Sequence, residues 1–398
     1  MARRPSSGAE APLLPPPAAA SATSLIGHEA AEGVFLGALQ SRRMPHAWLI
    51  TGPKGVGKAT LAFRMARALL STPATPPSDV GLFGEAPKIA VTLEIPEGHP
   101  VFRRVAELTH SDFRLLRRSL NDKGKLRSEI VIEDVRAAID FLRMTAAEGD
   151  WRVLIVDSAD ELNRNAANAL LKILEEPRPR TVLILVSHAP GRLLPTIRSR
   201  CRRLTLAPLS AAEMTAALQA RAPDLDGDDR VLIATLAEGS LGHALNLIES
   251  DALSLFREIA ALLVQWPRIE TAALHKLADK VTARGGERNF EMAAELLEWI
   301  GARFLRAAAR KDPKPAPEVF AGEGQLYANW QAAAGLDRWL ELWEKVERLF
   351  ARVLSVNLDR RQAWVTVWLA LQTMEAGALD SGPSGDQGRY GGAVPPSP

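Results

Sequence analysis

The sequence predicts an α/β module, a parallel sheet covered by helices on both faces, followed by an all-helical second half. Three observations carry this. Apolar runs at 47–50 (Ala-Trp-Leu-Ile), 153–156 (Val-Leu-Ile-Val) and 181–186 (Thr-Val-Leu-Ile-Leu-Val) alternate with helical stretches, the pattern expected when both faces of a parallel sheet are covered. After Pro208 strand signals all but vanish. Toward the C-terminus bulky residues recur at three- and four-residue spacing: Trp339, Trp343, Val346, Phe350 and Val353, then Trp364, Val367, Trp368 and Leu371. These are amphipathic helices with broad apolar faces.

Taken in order, residues 1–22 are Pro, Ala and Ser with little to bury, which predicts a disordered tail. The α/β module spans 23–208. Its first strand is 47–50 and a breaker-free helix follows over 59–70. The Pro- and Gly-rich stretch 71–100 predicts a long loop or insertion. Phe113 to Leu116, the turn residues Asn121-Asp122-Lys123-Gly124, and Ile130-Val131-Ile132 predict a hairpin or two separate strands. A helix with Val135, Ile139 and Leu142 on one face comes next, then a strand over 152–156, a helix over 165–174 and the strand 181–186. Ser210 and Glu213 form a capping-box signature that opens a small helical module at 209–250. An all-helical module follows at 251–377, and 378–398 predicts a second disordered tail.

At 398 residues, 47% of them hydrophobic and 24% charged, the chain can bury several cores, which excludes a mainly disordered or collagen-like state. Basic and acidic residues nearly cancel, 49 against 47, so any nucleic-acid contact must come from a local patch. A single cysteine, Cys201, excludes a disulfide framework and multi-cysteine zinc sites. No apolar run approaches the roughly 18–20 residues that span a bilayer, and the proline-broken N-terminus does not suit a signal peptide. The expectation is a cytoplasmic protein without membrane contact.

Gly52-Pro53-Lys54-Gly55-Val56-Gly57-Lys58 fits the G-x-x-x-x-G-K core of a phosphate-binding loop, placed between an apolar strand and a helix. Gly52, Gly55 and Gly57 let backbone N–H groups curl around phosphate oxygens, and Lys58 reaches the terminal phosphates. The motif is damaged. The Ser or Thr that ligates Mg²⁺ is Ala59 here, and Thr60, one place on, points elsewhere. The strand 153–156 ends in Asp157, an acidic residue suited to a metal, but Ser158 follows where hydrolysing relatives place a glutamate. A hydroxyl is no general base near pH 7. Asp160 and Glu161 are carried away by the next helix and read as a solvated helix start.

Between 170 and 209 the chain carries Leu-Leu-Lys-Ile-Leu-Glu-Glu-Pro, then Leu193-Leu194-Pro195-Thr196-Ile197-Arg198-Ser199-Arg200-Cys201, then Leu206-Ala-Pro-Leu209. Upstream lie Leu25-Ile26-Gly27-His28, Pro45-His46-Ala47 and the glycine loop. This set closely resembles bacterial DNA polymerase III clamp-loader subunits of the AAA+ superfamily over about 24–250. Within that family Ala59, Ser158 and Gly242, which stands where motor subunits carry a phosphate-sensing arginine, are similar to the delta-prime type. The gamma/tau ATPase motor is the alternative, and a helicase loader or branch-migration motor a more distant one. The four-cysteine zinc module common in the family is missing, so no zinc is expected.

The resemblance implies an AAA+ P-loop domain, a helical lid and an all-α collar. It implies partners in gamma/tau and delta subunits, the sliding beta clamp and, through the complex, primer–template DNA. It also implies that Arg200 is an arginine finger donated to a neighbour's ATP site, where a planar, permanently charged fork suits phosphate oxygens. Gly52, Gly55, Gly57, Lys58, Thr60 and Asp157 would form a degenerate nucleotide site. No cofactor is required there; the surviving glycines and Lys58 leave room for a weak or vestigial hold on ATP and Mg²⁺. No carboxylate cluster suits two-metal polymerase chemistry.

Three further groups have bland readings. Basic residues from 103 to 127 (Arg103, Arg114, Arg117, Arg118, Lys123, Lys125, Arg127) suit DNA phosphates or an acidic partner, or a solvated hairpin rim. The lack of interleaved aromatics speaks for the rim. His46 and His188 read as packing or hydrogen-bonding residues. The C-terminal tryptophans read as core and subunit-interface residues.

Overall fold

The computed structural model describes residues 14–374 apart from 42, 73–91, 149–150, 284–286, 311–316 and 357. The expected 378–398 tail and most of the 71–100 insertion lie outside the described residues. Contacts divide the chain into two units, one running to Asp224 and including Glu238–His243, the other comprising Leu225–Ala237 and everything from Ala244. The segment 209–250, read from the sequence as one small module, is thus divided between them.

The first unit holds five strands: β1 (Ala47–Thr51), β2 (Phe113–Leu116), β3 (Arg152–Val156), β4 (Thr181–Ser187) and β5 (Arg202–Thr205). They form one sheet in the order β2-β3-β4-β1-β5, and every neighbouring pair is parallel. Successive residues of a strand point to opposite faces, so each inner strand feeds two cores. Trp48, Ile50, Val153, Ile155, Val182, Ile184 and Val186 pack on one face. Ala47, Leu49, Leu154, Val156, Leu183 and Leu185 pack on the other. That explains the unbroken apolar runs in the sequence.

Helices α1 (Ala18–Ser21), α2 (Glu29–Gln40), α3 (Lys58–Ser71) and α4 (Pro100–Ala106) precede β2, and all but a few apolar residues of α3 are fully buried on the first face. α5 (Ile132–Arg143) and α6 (Arg164–Glu175) cover the second. Asn163 caps α6, its side chain accepting from the Ala166 N–H at 2.9 Å, worth about 1 kcal/mol. α7 (Pro195–Arg200) leads into β5, and α8 (Ala211–Arg221) opens with Ser210 and Glu213 in a complete capping box.

Two expectations change. Ile130 makes only an isolated bridge to Leu162, and Ile132 already belongs to α5. The three-residue apolar run is too short to hold a strand against a helix whose first turn carries Glu133 and Asp134 at its positive end. The turn does form, with Leu120 bridging Leu126 antiparallel. Nor is all of 1–22 a tail. Residues 18–21 are helical, Ala20 is fully buried, and the buried Arg67 guanidinium donates to the carbonyls of Ala20 and Ala22 at 3.2 and 2.6 Å. Helix α3 has surplus donors, and the Pro/Ala segment supplies backbone acceptors that its composition does not reveal.

The second unit is helical throughout its described residues: α9 (Gly227–Leu236), the later part of α10 (Leu241–Glu249), α11 (Ala252–Leu263), α12 (Thr271–Thr282), α13 (Glu287–Ala309), α14 (Glu323–Ala333), α15 (Leu336–Val356) and α16 (Arg360–Thr373). Its core is aromatic. Trp330 and Trp339 lie 4.8 Å apart between ring centres, and Phe304 is within 5.4 Å of both. Gly301 lets α13 approach the Trp343 indole; a Cβ there would run into the ring. Trp330, Trp339, Trp343, Trp364 and Trp368 are all essentially buried within this unit. They are core residues, and none offers its ring to a subunit interface. No helix among the described residues is long and apolar enough to cross a membrane.

Candidate functional site

Parallel strands put the loops that follow them on one edge of the sheet. The loop 52–57 leaves β1 there and enters α3 at Lys58. Gly52, Gly55 and Gly57 have φ of 149°, 79° and 104°, values that a side chain would strain. Their reason lies in what packs against them. A Cβ on Gly52 would strike the Leu206 carbonyl, on Gly57 the Leu25 side chain, and on Gly55 the Ser240 hydroxyl. His28 steadies the loop with its Nε2 2.7 Å from the Val56 carbonyl, which gives the Leu25-Ile26-Gly27-His28 segment a structural role.

Lys58 is 4% exposed. Its ammonium donates to the Gly52 and Pro53 carbonyls at 2.8 and 2.5 Å. Burial lowers its pKa to about 8 against the pull of Asp160 and Asp157. Burial likewise raises the Asp157 carboxyl, opposed by His188, Arg117 and Lys58. Ala59 and Thr60 are half-buried on the first turn of α3, and no hydroxyl stands at 59 to complete a magnesium shell. Ser158 sits at φ 62°, in the left-handed region, at the end of β3.

Asp160 corrects the sequence reading. Its side chain is 3% exposed and 3.4 Å from the His188 imidazole, and it accepts from the His188 backbone N–H at 3.1 Å. It therefore belongs to the Lys58–Asp157 charge group. Glu161 is not a free solvated residue either, since Arg118 pairs with it at 2.9 Å. His188 is a hydrogen-bonding residue, as expected, and His46 Nε2 lies 3.2 Å from the Leu174 carbonyl.

The segment 239–243 closes on the loop. Gly242 N–H donates to the Gly55 carbonyl at 2.9 Å, and Ser240 Oγ donates to the Lys54 carbonyl at 2.9 Å. A Cβ at Gly242 would stand 2.9 Å from Gly55 O and 3.1 Å from its Cα. Gly242 therefore differs from an arginine in more than charge, because any side chain there crowds the loop. Ser240 was legible only as part of a motif; its bond to Lys54, 186 residues away, was not.

Arg200 lies at the opposite edge. Arg202 pairs with Trp48 at the start of β1, so the strand separates that level from Gly52 by roughly 13 Å, at about 3.3 Å per residue. Arg200 stands on the far side of that level, at the end of α7. It is about one-third exposed, pairs with Glu175 at 2.8 Å and donates to the Thr196 carbonyl at 3.0 Å. This geometry brings together the predicted loop residues and Asp157, and sets Arg200 apart from them. Neighbouring Cys201 is buried, its thiol pushed up to about 12. Separately, α5 and α6 enclose an open groove of about 520 Å³ lined by Arg136, Arg143, Lys172 and Asp140 among others.

A family model described as DNA polymerase III, delta subunit, matches residues 94–210. The DNA polymerase III subunit delta′ of Pseudomonas aeruginosa is 37% identical over 196 residues, 49% of this chain and 53% of that protein. The subunit delta′ of Yersinia pestis is 31% identical over 251 residues, covering 62% of this chain and 70% of its own length. The subunit tau of Escherichia coli is more distant, 26% identical over 285 residues, 69% of this chain and 41% of that protein. The aligned part spans about half the length of the Pseudomonas relative.

Proposed function

Because the chain belongs to the DNA polymerase III subunit delta′ family, we propose that it is a non-hydrolysing subunit of the clamp loader. In this reading it assembles with gamma/tau and delta subunits, helps place the sliding beta clamp on primer–template DNA, and donates Arg200 to a neighbour's ATP site. The observation that carries the reading is the position of Arg200, across the sheet from the chain's own phosphate loop. A guanidinium there is useless to its own loop and is free to serve another subunit.

Its own loop supports no turnover. Ala59 lacks the metal hydroxyl, Ser158 lacks the carboxylate base, and the Lys58 ammonium is engaged by Gly52 and Pro53. The 239–243 segment bonds the loop from outside. These residues do not fit hydrolysis of Mg²⁺-bound ATP, and the protein requires no nucleotide or zinc of its own. The isolated chain is expected to release phosphate from ATP no faster than a Lys58→Ala control; a rate that the control abolishes would overturn this. The gamma/tau motor reading is disfavoured by the same three residues.

The finger role is tested in the reassembled loader. Arginine fingers contribute roughly 10³–10⁵ in rate. Arg200→Ala is expected to cut DNA-stimulated turnover by at least tenfold in an assembly of three or more ATP sites, with the subunits still co-purifying. Unchanged turnover in an intact assembly would remove the role.

A further inference from the structure

We propose that the turn at 121–127 is a contact for the phosphate backbone of nucleic acid, made by Lys123, Lys125 and Arg127. The proposal rests on the clamp-loader reading and adds to it a surface at which this chain would touch the DNA. The structure sorts the basic stretch into engaged and available cations. Arg104 pairs with Glu148, Arg118 with Glu161, and Arg117 donates to the Leu14 and Pro15 carbonyls. Lys123, Lys125 and Arg127 have no carboxylate partner among the described residues, and both lysines are exposed. From 122 to 127 they face only one acidic residue of their own segment, Asp122; Glu129 and Glu133 follow it in the chain.

The scaffold is preformed. Asn121 Oδ1 accepts from the N–H groups of Lys123 and Lys125, each at 3.0 Å. The Asn121 N–H donates to the Lys125 carbonyl at 2.7 Å, Gly124 N–H to the Asn121 carbonyl at 2.8 Å, and Arg127 N–H to the Ser119 carbonyl at 2.9 Å. Ordering the backbone therefore costs little on binding. Lys125 and Arg127 are two residues apart on extended chain, roughly 6.6 Å. Two phosphate steps along one DNA strand advance about 6.8 Å along the axis. The only apolar side chain on the tip is Leu126, 47% exposed, too little to anchor a protein. The lack of aromatics, which spoke for a bland rim, instead limits the contact to the backbone: it excludes base stacking and leaves a sequence-independent, salt-sensitive interaction.

The test titrates the full chain, alone and co-purified with delta and gamma/tau subunits, against a labelled primer–template duplex from about 50 to 200 mM KCl. Three phosphate contacts give a slope near 2.7, so over that range the wild type should lose roughly 40-fold more affinity than K123Q/K125Q/R127Q. Duplexes of scrambled sequence should bind alike. The exposed side chains should leave the variant's melting unchanged, and Leu126→Ala should bind DNA as wild type does. Equal affinities and salt slopes would overturn the proposal. So would a variant that keeps its DNA affinity but loses a subunit, which would make the turn a protein contact. If the wild type fails to co-purify with the other subunits, the clamp-loader reading fails, while titration of the lone chain still decides the turn.

Discussion

At the carboxyl edge of the sheet the charged groups are bound within the molecule, whereas at the amino edge Arg200 is held by one surface pair and one carbonyl. Lys58 bonds two loop carbonyls, Asp160 holds His188, and Gly242 and Ser240 bond the loop from outside. Removing such buried partners leaves orphaned polar groups, each costing about 1–3 kcal/mol. Exposed pairs such as Arg200–Glu175 are worth only about 0–1 kcal/mol. One edge is built to stay as it is, and the other keeps a cation that can be redirected at small cost.

The comparison breaks most visibly at Gly55. Gly55→Ala places a side chain at φ 79° against Ser240 and should destabilise the first unit by roughly 2–4 kcal/mol in urea unfolding. A loss under about 0.5 kcal/mol would mean that the 239–243 segment does not clasp the loop. A smaller effect reports on burial beside Arg200. With its pKa pushed to about 12, the Cys201 thiol stays protonated at pH 8, so alkylation should be far slower than for a free thiol and should reach normal rates in urea. Rapid native labelling would show that the amino edge opens more widely than its geometry implies. Least of all should change in Glu175→Ala. Stability should move within about 0.5 kcal/mol, and turnover of the reassembled loader within a few-fold. A large loss of turnover with unchanged melting would make Glu175 a positioning residue for Arg200.

Most strands and helices were legible because their cores are one-dimensional patterns: unbroken apolar strands for a two-sided sheet, and three- and four-residue spacing for helices. The loop 52–58 was legible because glycine and lysine at that spacing have few other uses. The 130–132 strand failed because three β-branched residues carry no period, and helical capping forces prevailed. The order of 14–22 was invisible because its partners are arginines far along the chain. Asp160 was misplaced because a short helical turn after Ser158 aims it back at Lys58, a direction that periodicity cannot supply.

Taken alone, the amino-acid sequence determined the strand and helix periods, the damaged nucleotide motif and the family resemblance, since each depends on residues close together in the chain. Tertiary structure alone decided that Gly242 and Ser240 clasp the loop, that Asp160 and His188 join Lys58, and that Arg200 stands across the sheet from it. Those facts depend on strand register and on bonds between residues far apart in sequence, which no local pattern encodes.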